Sequence, residues 1–173
     1  RDGILRADLP AKHTSTCRFR QIFFNGRRQI RARSPNLDAD DPLYGGWAFM
    51  ETAVGADAFR FGEDLQIPHV VKPQEAEVYF FAGAMGSWGS NYVAVRSIDR
   101  DAHVIHVAYS GGEDPLMGFN GNVRYRVENA LELIDQPGEW CLDVEEGGVY
   151  FRPPRPMAPS DVVMAPSLDS LVV

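Results

Sequence analysis

Apolar residues fall in short runs along this chain, and Gly, Pro, Asn and Asp break the runs before they reach helical length. That pattern predicts many short strands joined by turns. The clearest signal is Asn25-Gly26, which follows Phe23-Phe24 and precedes the basic stretch from Arg27 to Arg33. Both turn residues accept the positive φ of a type I′ turn, so a hairpin with a two-residue loop is predicted. In that register Phe24 faces Arg27, Arg20 faces Arg31 and Arg18 faces Arg33. Residues 78–82 (Val-Tyr-Phe-Phe-Ala) read as a buried strand, and residues 83–90 as a Gly-rich loop holding Trp88. Residues 92–99 and 104–108 are predicted to pair across a turn at 99–102. A third hairpin is predicted from residues 139–143 and 148–152, around Glu145-Glu146-Gly147. Residues 128–135 read as the one short helix, closed by Pro137-Gly138. The fold class that follows is all-β: a small antiparallel barrel or sandwich of hairpins with one short helix.

Composition narrows the function classes. With 173 residues, of which 45% are hydrophobic, the chain can bury a real core as one domain. No apolar run reaches the roughly 18 residues that cross a bilayer as a helix, so no membrane partner is expected. The chain opens on Arg1-Asp2-Gly3 without an apolar leader, which a mature exported domain need not carry. The net charge of −7 argues against nucleic acid as a partner. Of the 17 basic residues, only Lys12 and Lys72 are lysines. Arginine's planar fork suits carboxylates, sulfates and aromatic faces, although the codon bias of a GC-rich genome explains the same excess. Cys17 and Cys141 lie far apart, and the sequence leaves open whether they pair. Neither belongs to a Cys-x-x-Cys or Cys/His cluster, so no zinc site is expected. There is no G-x-S-x-G, H-E-x-x-H or P-loop, and His13, His69, His103 and His106 are scattered. No cofactor and no catalytic residue is therefore assigned, and the chain is not expected to be an enzyme on its own.

Three stretches together resemble a known family. They are Phe24-Asn-Gly-Arg-Arg-Gln-Ile-Arg-Ala-Arg-Ser-Pro-Asn36, Tyr125-Arg-Val-Glu-Asn-Ala-Leu-Glu-Leu-Ile-Asp-Gln-Pro-Gly-Glu-Trp-Cys-Leu-Asp143, and Gly148-Val-Tyr-Phe-Arg-Pro-Pro154. The chain resembles the insertion domain of bacterial right-handed parallel β-helix proteins related to glycoside hydrolase family 141, over roughly residues 2–173. The Leu-Ile-Asp-Gln-Pro-Gly-Glu-Trp-Cys-Leu-Asp run is the specific part. The chain departs from the family in carrying Cys141 where a second aromatic is usual, and Gly83-Ala-Met-Gly-Ser87 where aromatics are common. The resemblance implies an excised module over residues 1–158 and a tail over 159–173 that re-enters the parent β-helix. It implies a parent that is a glycoside hydrolase or another polysaccharide-degrading enzyme, exported to the periplasm or the extracellular space, with its catalytic groups on β-helix coils absent from this chain. It also implies that Trp140 is core and that Arg33 is structural.

Candidate binding residues come in three groups. On the predicted hairpin, Arg18, Arg20, Arg27, Arg31 and Arg33 would share one sheet face. Like charges directly opposite repel, so acidic side chains, an anionic glycan or a bulge must intervene. Asp38, Asp40 and Asp41 offer hard oxygen ligands, which makes them weak calcium candidates, but they lack the spaced glycine and terminal glutamate of an EF-hand. Tyr44, Trp47, Trp88 and Tyr92 lie in or beside Gly-rich loops and could stack on sugar rings or close over a core. Two functions are carried forward. One is a carbohydrate-binding accessory module whose partner is a polysaccharide or oligosaccharide. The other is a structural insertion that buttresses the β-helix or walls the parent's cleft.

Overall fold

The computed structural model describes residues 3–10, 19–63, 65, 67–82, 89–108 and 123–166. The protein is all-β. Its helical residues, among those described, form 3-10 turns at Pro73–Glu75 and Leu131–Leu133. The segment expected to be a short helix is thus a strand end followed by a single 3-10 turn. Asn129 explains the difference: it is buried at φ +67°, outside the helical region, and its side chain donates to the Glu75 carbonyl at 2.7 Å. With Pro137 close behind, too few residues remain to offset helix nucleation.

Contacts divide the chain into two compact units, Arg1–Ala32 with Ile134–Val173, and Arg33–Leu133. Strands are numbered along the chain. The first unit holds β1 (Leu5–Asp8), β2 (Phe23–Phe24), β3 (Arg27–Arg28), β4 (Ile30–Arg31), β12 (Glu139–Asp143), β13 (Gly148–Phe151) and β14 (Val163–Met164). They form a four-stranded sheet, β1-β13-β12-β4, and a three-stranded sheet, β14-β2-β3. Phe19, Ile22, Phe24, Trp140, Leu142, Val149 and Phe151 make its core. Trp140 is fully buried and stacks on Phe19 at 5.7 Å. The Pro137-Gly138-Glu139-Trp140 run is a self-closing turn. The buried Glu139 carboxylate accepts the amides of Asp135 and Gln136, both at 2.9 Å, while Gly138 takes φ +90°. That accounts for the glutamate and the glycine by backbone chemistry alone.

The Asn25-Gly26 turn is present, with φ of 50° and 77°, and Phe24 faces Arg27 as predicted. The ladder ends soon afterwards, where the Gln29 amide donates to the Ile22 carbonyl at 2.9 Å. The chain then leaves β2, and β4 runs parallel to β12, pairing Arg31 with Trp140. The expected arginine face therefore does not form. Arg20 is not opposite Arg31, Arg33 is buried in the other unit, and Arg18 lies outside the described residues. Extending the hairpin would have set like charges face to face. Joining β12 instead satisfies Ile30 and Ala32, whose amides donate to Gly138 and Trp140 at 3.1 and 2.7 Å. Trp88 and Cys17 also lie outside the described residues, whereas Cys141 is buried on β12.

Past the prolines, β14 pairs antiparallel with β2. Asp161 clamps this return. Its two oxygens accept both Arg155 nitrogens at 2.7 Å, the Asn25 amide group at 2.7 Å and the Ala158 N–H at 2.6 Å. The Asn25 carboxamide oxygen in turn accepts the Val162 amide at 2.9 Å.

The second unit holds β5 (Arg33–Ser34), β6 (Ala48–Ala53), β7 (Ala58–Phe61), β8 (Glu77–Ala82), β9 (Gly89–Asp99), β10 (Val104–Val107) and β11 (Arg124–Glu128). Six of them close an antiparallel barrel in the ring order β6-β7-β10-β9-β8-β11. The β9–β10 hairpin is the one predicted for residues 92–108. Met50, Phe59, Val78, Phe80, Val95, Ile105, Tyr125 and Val127 point inward and are buried, with Phe59 and Tyr125 in edge contact at 4.8 Å. Closure leaves the ring without a free sheet edge. One edge of β11 is shared: Arg124–Tyr125 pair with β6, and Val127–Glu128 pair with β5. Residues 35–47 loop out between these two pairings.

The Asp161 clamp has a defined pH response. Hydrogen bonds from Arg155, then from Ala158 and Asn25, hold its carboxyl well below the usual carboxylate range. A depressed folded value stabilises docking above the ordinary carboxylate pKa of about 4, and that contribution fades as pH falls below it. Hydrogen-exchange protection of the Asn25 and Val162 amides, corrected for intrinsic rate, should stay level from about pH 8 to 5 and drop below about pH 4. Asp161→Asn should lower it already at neutral pH, and unchanged protection in that variant would contradict the clamp.

Candidate functional site

Strand alternation sends every second side chain of the barrel wall outward. On β8 these include Tyr79 and Phe81, on β11 Arg124 and Arg126, and on β9 Tyr92. Cross-strand register sets them in rows. Arg126 lies opposite Tyr79, and Tyr79 opposite Tyr92. Phe49 of β6 lies opposite Arg124. Trp47, the residue before β6, packs on the same patch, 5.9 Å from Tyr79 and 5.4 Å from Phe81. Tyr79 reaches Tyr92 at 4.5 Å.

The guanidinium groups fill the spaces between rings. Arg126 sits 4.4 Å from the Tyr79 ring centre and 4.7 Å from that of Trp47. Arg124 sits 4.1 Å from Phe81 and 5.2 Å from Trp47. Arginine stacks in this way because its delocalised cation is weakly hydrated and is drawn to the negative face of the ring. Arg126 also pairs with Glu128, whose side chain is only 4% exposed. Tyr92 and Phe49 are more open, at 39% and 54% exposed.

The loop that delivers Trp47 is built around Arg33. This residue is 5% exposed, donates from Nε to the Pro35 carbonyl at 2.8 Å and from Nη2 to the Gly46 carbonyl, and lies 5.5 Å from the Trp47 ring. Its role is structural. Gly46 takes φ +67°, and a Cβ there would stand 2.5 Å from the Asn36 carbonyl oxygen. Asp38 accepts the amides of Asp40 and Asp41 at 2.9 and 3.1 Å, and Asp41 accepts the Tyr44 amide at 3.1 Å. The weak calcium candidates Asp38, Asp40 and Asp41 are therefore placed as turn-forming residues. Among the described residues no group of three or more His, Cys, Asp or Glu could hold a metal ion.

Of the aromatic candidates, Trp47 and Tyr92 meet in one patch through Tyr79. Tyr44 stands apart at the loop, 76% exposed. Arg20 is exposed and Arg31 half-buried in the other unit. Phe49, Tyr79, Phe81, Arg124 and Arg126 were not singled out from sequence. Their period-two spacing was visible in Tyr-Phe-Phe and Arg-Tyr-Arg, but the pairing that joins β8 to β11 spans more than forty positions and leaves no local mark.

A solved structure described as a glycoside hydrolase matches with a TM-score of 0.66 and 18% sequence identity, over 94% of this chain and 29% of that chain. The likeness shows a shared fold over that portion of the chain. This chain spans less than a third of the hydrolase it matches. No family model and no curated protein matches it. The described wall presents an aromatic–arginine face.

Trp47 holds the loop to the wall, so Trp47→Ala should destabilise the barrel by about 2–3 kcal/mol, below the range for fully buried tryptophans because the residue is only partly buried. Trp47→Phe should restore part of that loss. A denaturation midpoint and slope unchanged in Trp47→Ala would show that the ring bears no structural load.

Proposed function

We propose that this chain is a non-catalytic, carbohydrate-binding accessory module of a polysaccharide-active protein, and that the glycan lies on the barrel face of Tyr79, Tyr92, Phe81 and Phe49. The observation that carries this reading is the set of ring rows across β8, β9, β11 and β6, interleaved with Arg124 and Arg126. Sugars bind by laying the apolar face of a pyranose on a ring while edge groups accept from nearby donors. The similarity of nearly the whole chain to under a third of a glycoside hydrolase chain supports a module of a larger enzyme. On this reading the module is inserted in a parallel β-helix of an exported bacterial protein, outside the cytoplasm, where its polymer is found. Acid–base chemistry is assigned to the parent. On the module's own face, Glu77 and Glu128 stand opposite each other, but Glu128 is buried and held by Arg126, which suits it poorly to proton transfer.

A second reading is favoured by the Trp47 contacts. Arg33, Arg124 and Arg126 already crowd its ring, and a ring so covered serves packing. The patch would then stiffen a wall of the parent's cleft without binding sugar.

Calorimetry on the whole chain against neutral hexasaccharides separates the two. The binding reading expects measurable affinity, reduced at least tenfold, about 1.4 kcal/mol, by Tyr79→Ala or Tyr92→Ala with the fold intact. A folded protein that binds no member of the panel leaves the buttress reading in its place.

A further inference from the structure

The first unit carries a groove of about 550 Å³ with ten lining residues, among them Arg27, Arg28, Arg155, Pro137 and Pro154. Three of these ten residues are arginines and none is acidic. That is unusual in a chain with 24 acidic and 17 basic residues and a net charge of −7. Arg155 is engaged by Asp161 in a two-pronged pair and lies 5.2 Å from the Phe24 ring. Arg27 and Arg28 are different. Both are exposed on β3, an edge strand, and among the described residues neither makes an ion pair. Their positions are held by the Asn25-Gly26 turn and by Gln29, whose side chain donates to the Arg27 carbonyl at 2.8 Å. Pro137 and Pro154 also line the groove, and their fixed φ leaves little conformational freedom to lose when a ligand arrives.

We infer that this groove is an anion-binding subsite for an acidic polysaccharide, with Arg27 and Arg28 holding a carboxylate or sulfate group and the prolines giving its sugar ring apolar contact. Two exposed guanidinium forks, without an ion pair among the described residues, stand beside prolines and match a charged group on a flat ring; Asp161 answers Arg155 and leaves Arg27 and Arg28 for a ligand. The polymeric nature of the ligand rests on the carbohydrate-associated reading above. The anion site itself stands on this groove's own geometry and is read out independently of Tyr79 and Tyr92.

The test is calorimetry on the full 173-residue chain with four probes in low salt: hexagalacturonate, a heparin hexasaccharide, maltohexaose and cellohexaose. At least one anionic probe should bind, and the two anionic arms distinguish carboxylate from sulfate. Arg27→Gln/Arg28→Gln should weaken that binding tenfold or more. Arg60→Gln, on an exposed barrel arginine that donates to the Ala102 carbonyl, should leave it within twofold. Raising salt to about 0.5 M should weaken it as well. The inference is overturned if neither anionic probe binds, if the double variant binds as the parent does, or if Arg60→Gln loses as much. Loss of neutral binding in Tyr79→Ala, or its absence, reports on the barrel face alone.

Discussion

The pairing of β11 is the constraint on which the second unit depends. This one strand closes the barrel by joining β8 on one edge and β6 and β5 on the other. Its inward residues, Tyr125 and Val127, are fully buried among apolar neighbours. Its outward residues, Arg124 and Arg126, enter the ring rows. Splitting one edge between two partners ejects residues 35–47 as a loop and lands Trp47 on the arginines. The wall, the loop and the candidate face are consequences of a single register, and a one-residue slip would exchange core for face.

The stacking of arginine on aromatic rings then has two effects at once. It lets cations sit on a half-buried wall with few acidic partners, since the ring faces replace part of their hydration. It also fixes the rings, so a ligand meeting Tyr92 or Tyr79 would find a surface already ordered and lose less entropy on binding. The structural and binding readings therefore share their origin. They part on whether enough ring surface stays open, and Tyr92 and Phe49 carry most of it.

Much of the fold was legible in the chain because its signals are local. Asn25-Gly26, the 92–108 hairpin and the 139–152 hairpin each show in a few adjacent residues, and each is present. The site was half legible. Trp47 and Tyr92 stood out as loop aromatics, but their partners lie on strands brought together by long-range pairing. The sequence suggests one arginine face on a long hairpin, to be relieved by acidic side chains, an anionic glycan or a bulge, whereas the hairpin stops at Ile22 and Gln29 and the chain changes sheets. Two effects agree here: parting the arginines relieves like-charge repulsion, and the amides of Ile30 and Ala32 find the carbonyls of Gly138 and Trp140. The Glu139-Trp140 pair was visible as a motif, yet its reason, a carboxylate closing its own turn, appears only in three dimensions.

Isotope-edited titration of the whole chain with neutral oligosaccharide tests the central claim most directly, because it locates the contact instead of inferring it from lost affinity. The account predicts saturable shifts at the Trp47 indole and at the amides of Tyr79, Phe81, Tyr92, Arg124 and Arg126, with the buried Trp140 indole unmoved. Shifts confined to other parts of the molecule, or none at millimolar glycan, would contradict a binding face on the barrel wall.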